Sequence, residues 1–292
     1  MPELPDILIY VQALRDRIGP GPLVRCRISG PSLVRTYDPP VDALEGLSVL
    51  HIDHQGKRLV FELTDEHFLV LHLMIAGRLR WEAAGASIPR RGGLAAFDFA
   101  SGSLLLIESA IRKRAALHVL RGRAALRDHD PGGIDVLECD ADAFSRTLRS
   151  VRRTLKRALT DPRLFCGIGN AYSDEILHRA RLSPFLRSAG LSDEQCVRLH
   201  EATRSTLVES IERRRADVND GFPSPRSVTA FRPEFAVHGK FGEPCPVCGT
   251  KVQRIRYASN ETNYCPKCQT EGRVLADRSL SRLLKDDWPG AI

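Results

Sequence analysis

The 292-residue chain has no apolar run approaching the roughly 18 residues that a membrane-spanning helix needs. It also lacks the basic patch and apolar stretch of a secretory leader, since Glu3 and Asp6 stand where those would begin. A cytoplasmic protein with no membrane partner is the expectation. No short period repeats and no segment is of low complexity, while 42% of the residues are hydrophobic. Collagen, coiled coil and disorder are thereby excluded, and the length suffices for one large domain or two ordinary ones. Lysine is scarce: only seven of the 43 basic residues are lysines, the rest arginines. Against 36 acidic residues this leaves a net charge of +7. A basic, arginine-rich balance suits a polyanionic partner, because the planar guanidinium fork matches phosphate oxygens. A GC-rich genome produces the same excess, so charge alone leaves the partner open.

What is present falls into three stretches. Pro5 at a helix start, followed by Ile7, Val11, Leu14 and Ile18, predicts a helix that Gly19–Pro22 stops. From about residue 23 to 120 the period shortens. Strands are predicted over 24–29, 48–54, 58–63, 68–73, 94–99 and 103–107, which suggests a β-sandwich or flattened barrel. After Asp128–Gly133 helices are predicted over 142–159, 171–181 and 193–215, then a long polar loop from Ala216 to Arg232. The class is α+β, with domains at 1–130, 131–234 and 235–270 and a tail at 271–292.

Four of the eight cysteines, Cys26, Cys139, Cys166 and Cys196, are scattered and read as buried packing residues. The others, Cys245, Cys248, Cys265 and Cys268, form C-x2-C-x16-C-x2-C. Two knuckles at this spacing can close a thiolate tetrahedron round one Zn²⁺, with no open position, so the ion is structural. A redox pair of C-x-x-C motifs is the competing reading, and it lacks a surrounding βαβ pattern. Lys251–Arg256 reads as a strand of a ribbon hairpin whose turn spans Tyr257–Thr262.

The amino terminus reads Met1-Pro2-Glu3-Leu4-Pro5. A small second residue permits removal of the initiator methionine, which leaves Pro2 with a free secondary amine. Such an amine can attack a carbonyl-type carbon and form a cationic iminium, with Glu3 as proton shuttle. Alone, this is as well read as an ordinary start.

The same Met1–Pro5 run, the four-cysteine unit and Gly167-Ile168-Gly169-Asn170-Ala171-Tyr172-Ser173-Asp174-Glu175 together resemble the Fpg/Nei family of DNA glycosylases. The resemblance extends from residue 2 to about 268, nearly the whole chain. It implies an N-terminal β-sandwich with one leading helix, a helix-two-turn-helix domain and a zinc hairpin flanking a basic cleft. It implies a monomer acting on damaged DNA, double- or single-stranded, and flipping the damaged nucleotide out of the stack. Pro2 would attack C1′ and displace the base, Glu3 would assist ring opening, and elimination would cut the strand. Lys57 matches the family's lysine on a strand turn near the lesion. Asn170 and Lys156 match phosphate contacts, Asn170 at a helix start where N–H groups face an anion.

Three positions depart from the family pattern. Asn260 stands where an arginine grips flanking phosphates, which weakens that grip by about 1–3 kcal/mol. Among the residues that fill the flipped base's place, Ile75 stands for methionine, and Arg112 is kept while Arg114 replaces phenylalanine. The loop 216–232 is also unlike the usual one. The expected activity is therefore glycosylase plus abasic-site lyase with an altered lesion preference. The alternative is a damage- or structure-specific DNA-binding protein of the same fold with weak or lost catalysis. A zinc-ribbon transcription factor would leave Pro2 and Gly167–Asn170 unexplained.

Overall fold

The computed structural model describes residues 1–19, 21–219, 221–257 and 260–275. The tail positions Leu280, Leu283 and Leu284 and the turn residues Ala258 and Ser259 lie outside them. The chain forms two compact units: Met1–Pro131 with Ser210–Thr229, and Gly132–Glu209 with the chain from Ala230 onward.

In the first unit, helix α1 (Leu4–Arg15) starts with Pro5 in its first turn and buries Ile7, Tyr10, Val11 and Leu14. Eight strands follow: β1 (Arg25–Ile28), β2 (Val49–Gln55), β3 (Arg58–Leu63), β4 (His67–His72), β5 (Gly77–Glu82), β6 (Gly93–Phe99), β7 (Gly102–Glu108) and β8 (Ala116–Arg121). They form two antiparallel four-stranded sheets, ordered β1-β6-β7-β5 and β2-β3-β4-β8. One core joins Leu59, Phe61, Leu69, Leu71 and Leu117 of one sheet to Ala95, Phe97, Leu104 and Leu106 of the other, with α1 packed against it. This is the expected sandwich. The opposite face of β3 and β4 is also apolar, because Val60, Phe68 and Val70 pack under Leu120 and Leu126, the latter from helix α2 (Arg123–His129).

Three elements here went unpredicted. In β5 Arg78 and Arg80 alternate with Leu79 and Trp81, and β8 interleaves His118 with Leu117 and Val119, so neither carries an apolar run. α2 buries none of its seven residues fully, which leaves no helical stripe to read.

The second unit contains α3 (Ala141–Arg149), α4 (Leu155–Leu159), α5 (Asn170–Arg179), most of α6 (Asp193–Val218), the hairpin β9 (Gln253–Tyr257) and β10 (Asn260–Tyr264), and α7 (Pro266–Thr270). The single helix expected over 142–159 is two helices. Asp140 caps α3 by accepting the Ala143 N–H at 2.7 Å, and the chain breaks at Ser150. The break is a tertiary effect. Leu155 N–H donates to Leu186 O and Ser188 N–H to the Arg153 carbonyl, both at 2.9 Å, so residues 153–155 pair with another segment. The expected loop 216–232 is also shorter than predicted, since α6 runs to Val218. Phe222 and Val228 from this stretch join the sandwich core, Phe222 against Tyr10 and Trp81 at 5.7 and 6.4 Å between ring centroids. No helix among the described residues is long and apolar enough to cross a membrane.

Candidate active site and nucleic-acid interface

The candidate residues divide between the two units. In the first, Pro2 is buried and Glu3 is only 3% exposed. Glu3 is the N-cap of α1: its carbonyl accepts the Asp6 and Ile7 N–H groups, and its own N–H donates to Asp6 Oδ2 at 3.1 Å. The chain terminus is thus fixed by the first turn of a helix rather than left to fray. Burial holds the Met1 ammonium below its ordinary pKa; Glu3 and Asp6 oppose that shift, and Arg78 and Lys57 add to it. Lys57, half-buried on the Gly56–Lys57 turn between β2 and β3, is thus near enough to the chain start for its charge to be felt there. Sequence reasoning missed Arg78, which lies beyond the Leu73–Gly77 turn and donates to the Gly77 carbonyl at 2.7 Å.

That turn is sterically specified. A Cβ at Gly77 would lie 2.3 Å from the Leu73 carbonyl oxygen, and Met74 adopts a positive φ of 53° while its N–H donates to His72 Nδ1 at 3.0 Å. The result presents Ile75 at 52% exposure. The β7–β8 loop is pinned in a comparable way. Glu108 accepts the N–H groups of Arg114 and Ala115 at 2.9 and 3.1 Å, and Lys113 Nζ donates to the Glu108 and Ala110 carbonyls. Arg112 and Arg114 are exposed there, as is Ile111, whose 104% relative exposure makes it the most exposed large apolar side chain described. Ile111 was not singled out from sequence, although a lone isoleucine beside a run of three cations is a readable signal.

In the second unit Asn170 opens α5 directly after Gly167-Ile168-Gly169, with Gly167 at φ +84°, a conformation open to glycine. Lys156 is 9% exposed; its Nζ pairs with Asp174 and donates to the Asn170 carbonyl at 3.0 Å. Asn260 is an exposed strand residue opposite Tyr257 rather than part of a loose turn. Lys156, Asn170 and Asn260 line one concavity of about 200 Å³ together with Thr154 and Thr262. The site thus offers an ammonium, a helix N-terminus and side-chain amides as donors for one phosphate group, beside the Glu261 carboxylate, which Arg254 pairs at 3.6 Å.

Asp174 and Glu175, quoted in the sequence motif without a role, tie α5 to the cysteine unit. Asp174 is wholly buried and its Oδ2 accepts from the Asn263 N–H at 3.1 Å and faces His238 Nδ1 at 2.8 Å. Glu175 accepts the N–H groups of Ala236, Val237 and His238 at 2.7, 3.0 and 2.8 Å. Burial pushes its carboxyl up, and those three donors oppose the shift.

The Sγ atoms of Cys245, Cys248, Cys265 and Cys268 all lie within 4.8 Å of one another, with Cys245–Cys268 at 3.9 Å and Cys248–Cys265 at 3.4 Å. A tetrahedron with Zn–S bonds of about 2.3 Å has S···S edges of about 3.8 Å, so the donor set fits. His178 Nε2 lies 3.3 Å from Cys245 Sγ, an outer partner for that thiolate from α5.

Residues 1–114 match the family model of the formamidopyrimidine-DNA glycosylase N-terminal domain, 134–220 that of its H2TH domain, and 242–270 that of the zinc finger found in FPG and IleRS. A formamidopyrimidine-DNA glycosylase of Variovorax paradoxus is 32% identical over 275 residues, 92% of this chain and 100% of that one. A formamidopyrimidine-DNA glycosylase-like protein of Mycobacterium tuberculosis is 42% identical over 153 residues, 52% of this chain and 94% of that one. Among solved structures, Lactococcus lactis Fpg bound to DNA with an oxidised pyrimidine is similar at TM-score 0.80 and 26% identity, covering 92% of this chain and 100% of that one.

Proposed function

The chain belongs to the formamidopyrimidine-DNA glycosylase family, and from that membership we propose that it excises damaged bases and then cuts the strand through its own N-terminal amine. It is read as a cytoplasmic monomer acting on damaged DNA, in duplex or in single strands. With Met1 removed, the Pro2 nitrogen attacks C1′ of the flipped nucleotide. The C1′–base bond breaks and its electron pair leaves with the base, which takes up a proton. Glu3 protonates the ring oxygen as the sugar opens, leaving a C1′ iminium on Pro2. Loss of a 2′ proton then delivers electrons that expel the 3′ phosphate. Lys57 and Arg78 supply positive charge beside the developing anions.

The observation that carries this reading is the buried Pro2–Glu3 start of α1, with Lys57 and Arg78 near enough for their charges to act on the terminus. Burial lowers the pKa of the Met1 ammonium there, and the same burial favours a neutral Pro2 amine once Met1 is gone. In the second unit, Lys156, Asn170 and Asn260 take a backbone phosphate, and one structural zinc on the four cysteines holds the hairpin that carries Asn260. The changes at Ile75, Arg114 and Asn260 favour lesions in single-stranded or already distorted DNA over a base in a regular duplex. Borohydride trapping on DNA with an abasic site tests the chemistry. A covalent adduct is expected, absent in Pro2→Gly, and intact binding without an adduct would instead support a non-catalytic damage binder. Excision of 8-oxoguanine, formamidopyrimidine and oxidised pyrimidine, each in duplex and single strands, tests the preference. Rapid cutting of 8-oxoguanine opposite cytosine, faster than every single-stranded substrate, would overturn it.

A further inference from the structure

Beside the phosphate site of the second unit lies a cluster of guanidinium groups to which neither the motifs nor the proposed chemistry gives a role. Helix α4 buries Leu155, Lys156, Ala158 and Leu159, so Arg157 is its one exposed side chain. Arg157 and Thr160 line the concavity that holds Lys156, Asn170 and Asn260. The same two residues also line a second, wider concavity of about 670 Å³, together with Arg153, Asp161 and Arg163.

Three arginines and one carboxylate line it, and two of the arginines already engage that carboxylate. Asp161 is buried; Arg163 donates to it from Nε at 3.0 Å and from Nη2 at 2.9 Å, and Arg153 pairs with it as well. Hydrogen bonds from Arg163 lead in holding the Asp161 carboxyl down at about 2, so it stays ionised and acts as a fixed strut. Arg163 and Arg153 nevertheless keep 67% and 42% of their side-chain surface exposed. A guanidinium has five N–H groups, so two bonds to Asp161 leave Arg163 with free donors. The lining therefore carries a net charge of +2, with two forks oriented in advance and one, Arg157, bridging to the first site.

We propose that the Arg153–Arg157–Arg163 surface is a second backbone subsite, which takes the phosphates of the DNA strand onward from the site at Lys156 and Asn170. It rests on the reading above only in taking DNA as the polyanion. A small free anion would not need two adjoining concavities bridged by one arginine, whereas a polymer of regularly spaced phosphates fills both. The subsite also brings one planar fork, Arg157, to the concavity that Asn260 lines, where the family pattern has lost one.

The test is the salt dependence of binding to a duplex with a tetrahydrofuran abasic analogue, measured by fluorescence anisotropy for wild type, R157Q, R163Q and the double variant. Each lost phosphate contact lowers the slope of log affinity against log salt by about 0.9. A drop of about 1 is expected for each single variant and about 2 for the double, with roughly tenfold or greater loss of affinity for the double at physiological salt. R157Q breaks no ion pair among the described residues, so its unfolding midpoint should match wild type. R146Q removes the same charge from exposed α3 and should leave the slope unchanged. Wild-type slopes in R157Q and R163Q, or an equal drop in R146Q, would overturn the subsite. Borohydride trapping of the wild type reports separately on the amine chemistry: slope losses without any adduct would leave the subsite standing and remove the lyase.

Discussion

Replacing Asp174 by asparagine should be among the most costly single changes in the second unit. The carboxylate is 0% exposed, and its main charged partner, Lys156, has a side chain only 11% exposed. Asparagine keeps the shape and one acceptor, so the contacts to Asn263 and His238 survive in part. What is lost is the counter-charge to a buried ammonium. Removing one partner of a buried pair costs about 3–5 kcal/mol, because the remaining charge is neither solvated nor compensated. Hydrogen bonding to the Asn170 carbonyl offsets only part of this. Urea unfolding followed by zinc release to a colour-forming chelator reads the affected unit directly. A second substitution, Lys156→Met, should restore most of the loss in the Asp174→Asn background, since it removes the stranded charge and keeps the apolar stem. The doubly substituted protein should be stable yet bind DNA more weakly, because Lys156 also faces the phosphate site. A loss below about 1 kcal/mol for Asp174→Asn, or no rescue by Lys156→Met, would refute the assignment of this pair as a buried charge pair joining α4 to α5.

The remaining predictions follow from the two units separately. Burial lowers the pKa of the Met1 ammonium, and Pro2, whose amine replaces it in the processed chain, is buried too, so the neutral nucleophile should persist to lower pH than for an ordinary α-amine at about 7.7–8.0. The rate of adduct formation should rise with pH and level off below that range, while the amine's contribution to stability is lost as pH falls and the unfolded chain binds the proton; a limb centred above pH 8 contradicts this. Chelation of zinc should abolish DNA binding while the sandwich keeps its cooperative unfolding, and His178→Ala should speed metal loss by roughly 10-fold or more in a competition assay. Ile111→Ala combined with Ile75→Ala should cut base excision from duplex DNA by about tenfold and spare nicking of single-stranded abasic DNA; equal loss on both substrates would remove these residues from the role of wedge.

Much of this molecule was legible before its fold was known, for reasons that differ by element. Strand β3 was bounded to the residue because Arg58 and Leu63 flank an apolar run between turn residues. The cysteine quartet was legible because metal ligation fixes spacing, and its four sulfurs do converge. Edge strand β5 was not, since a half-exposed strand with arginines on one face has no apolar signature. The break between α3 and α4 was not either, because it depends on pairing of residues 153–155 with a segment some thirty positions away. At the candidate site, the family resemblance pointed to Pro2, Glu3 and Asn170, while the carboxylates Asp174 and Glu175 needed the fold to reveal what they hold.

The departure at Asn260 and the arginines around α4 bear on one another. A neutral amide at the start of β10 cannot form a bidentate bond to phosphate, so the hairpin grips the backbone less firmly than an arginine would. The four-cysteine cluster and the Asp174 network nonetheless tie down that hairpin, with Asn260 at the rim of the concavity. Rigidity without charge serves orientation more than affinity. Charge is instead concentrated on the short helix whose buried face carries Lys156, with Arg157 outward and Asp161 bracing Arg153 and Arg163 beside it. A backbone held at α4, as proposed, would be anchored by the second unit without reference to the base opposite the lesion. A weaker hairpin grip and exposed isoleucine and arginine tips then loosen the demand for a regular duplex. The same physical change therefore accounts for both expectations, steep salt dependence and tolerance of distorted or single-stranded DNA, and they should rise or fall together in variants of Arg157.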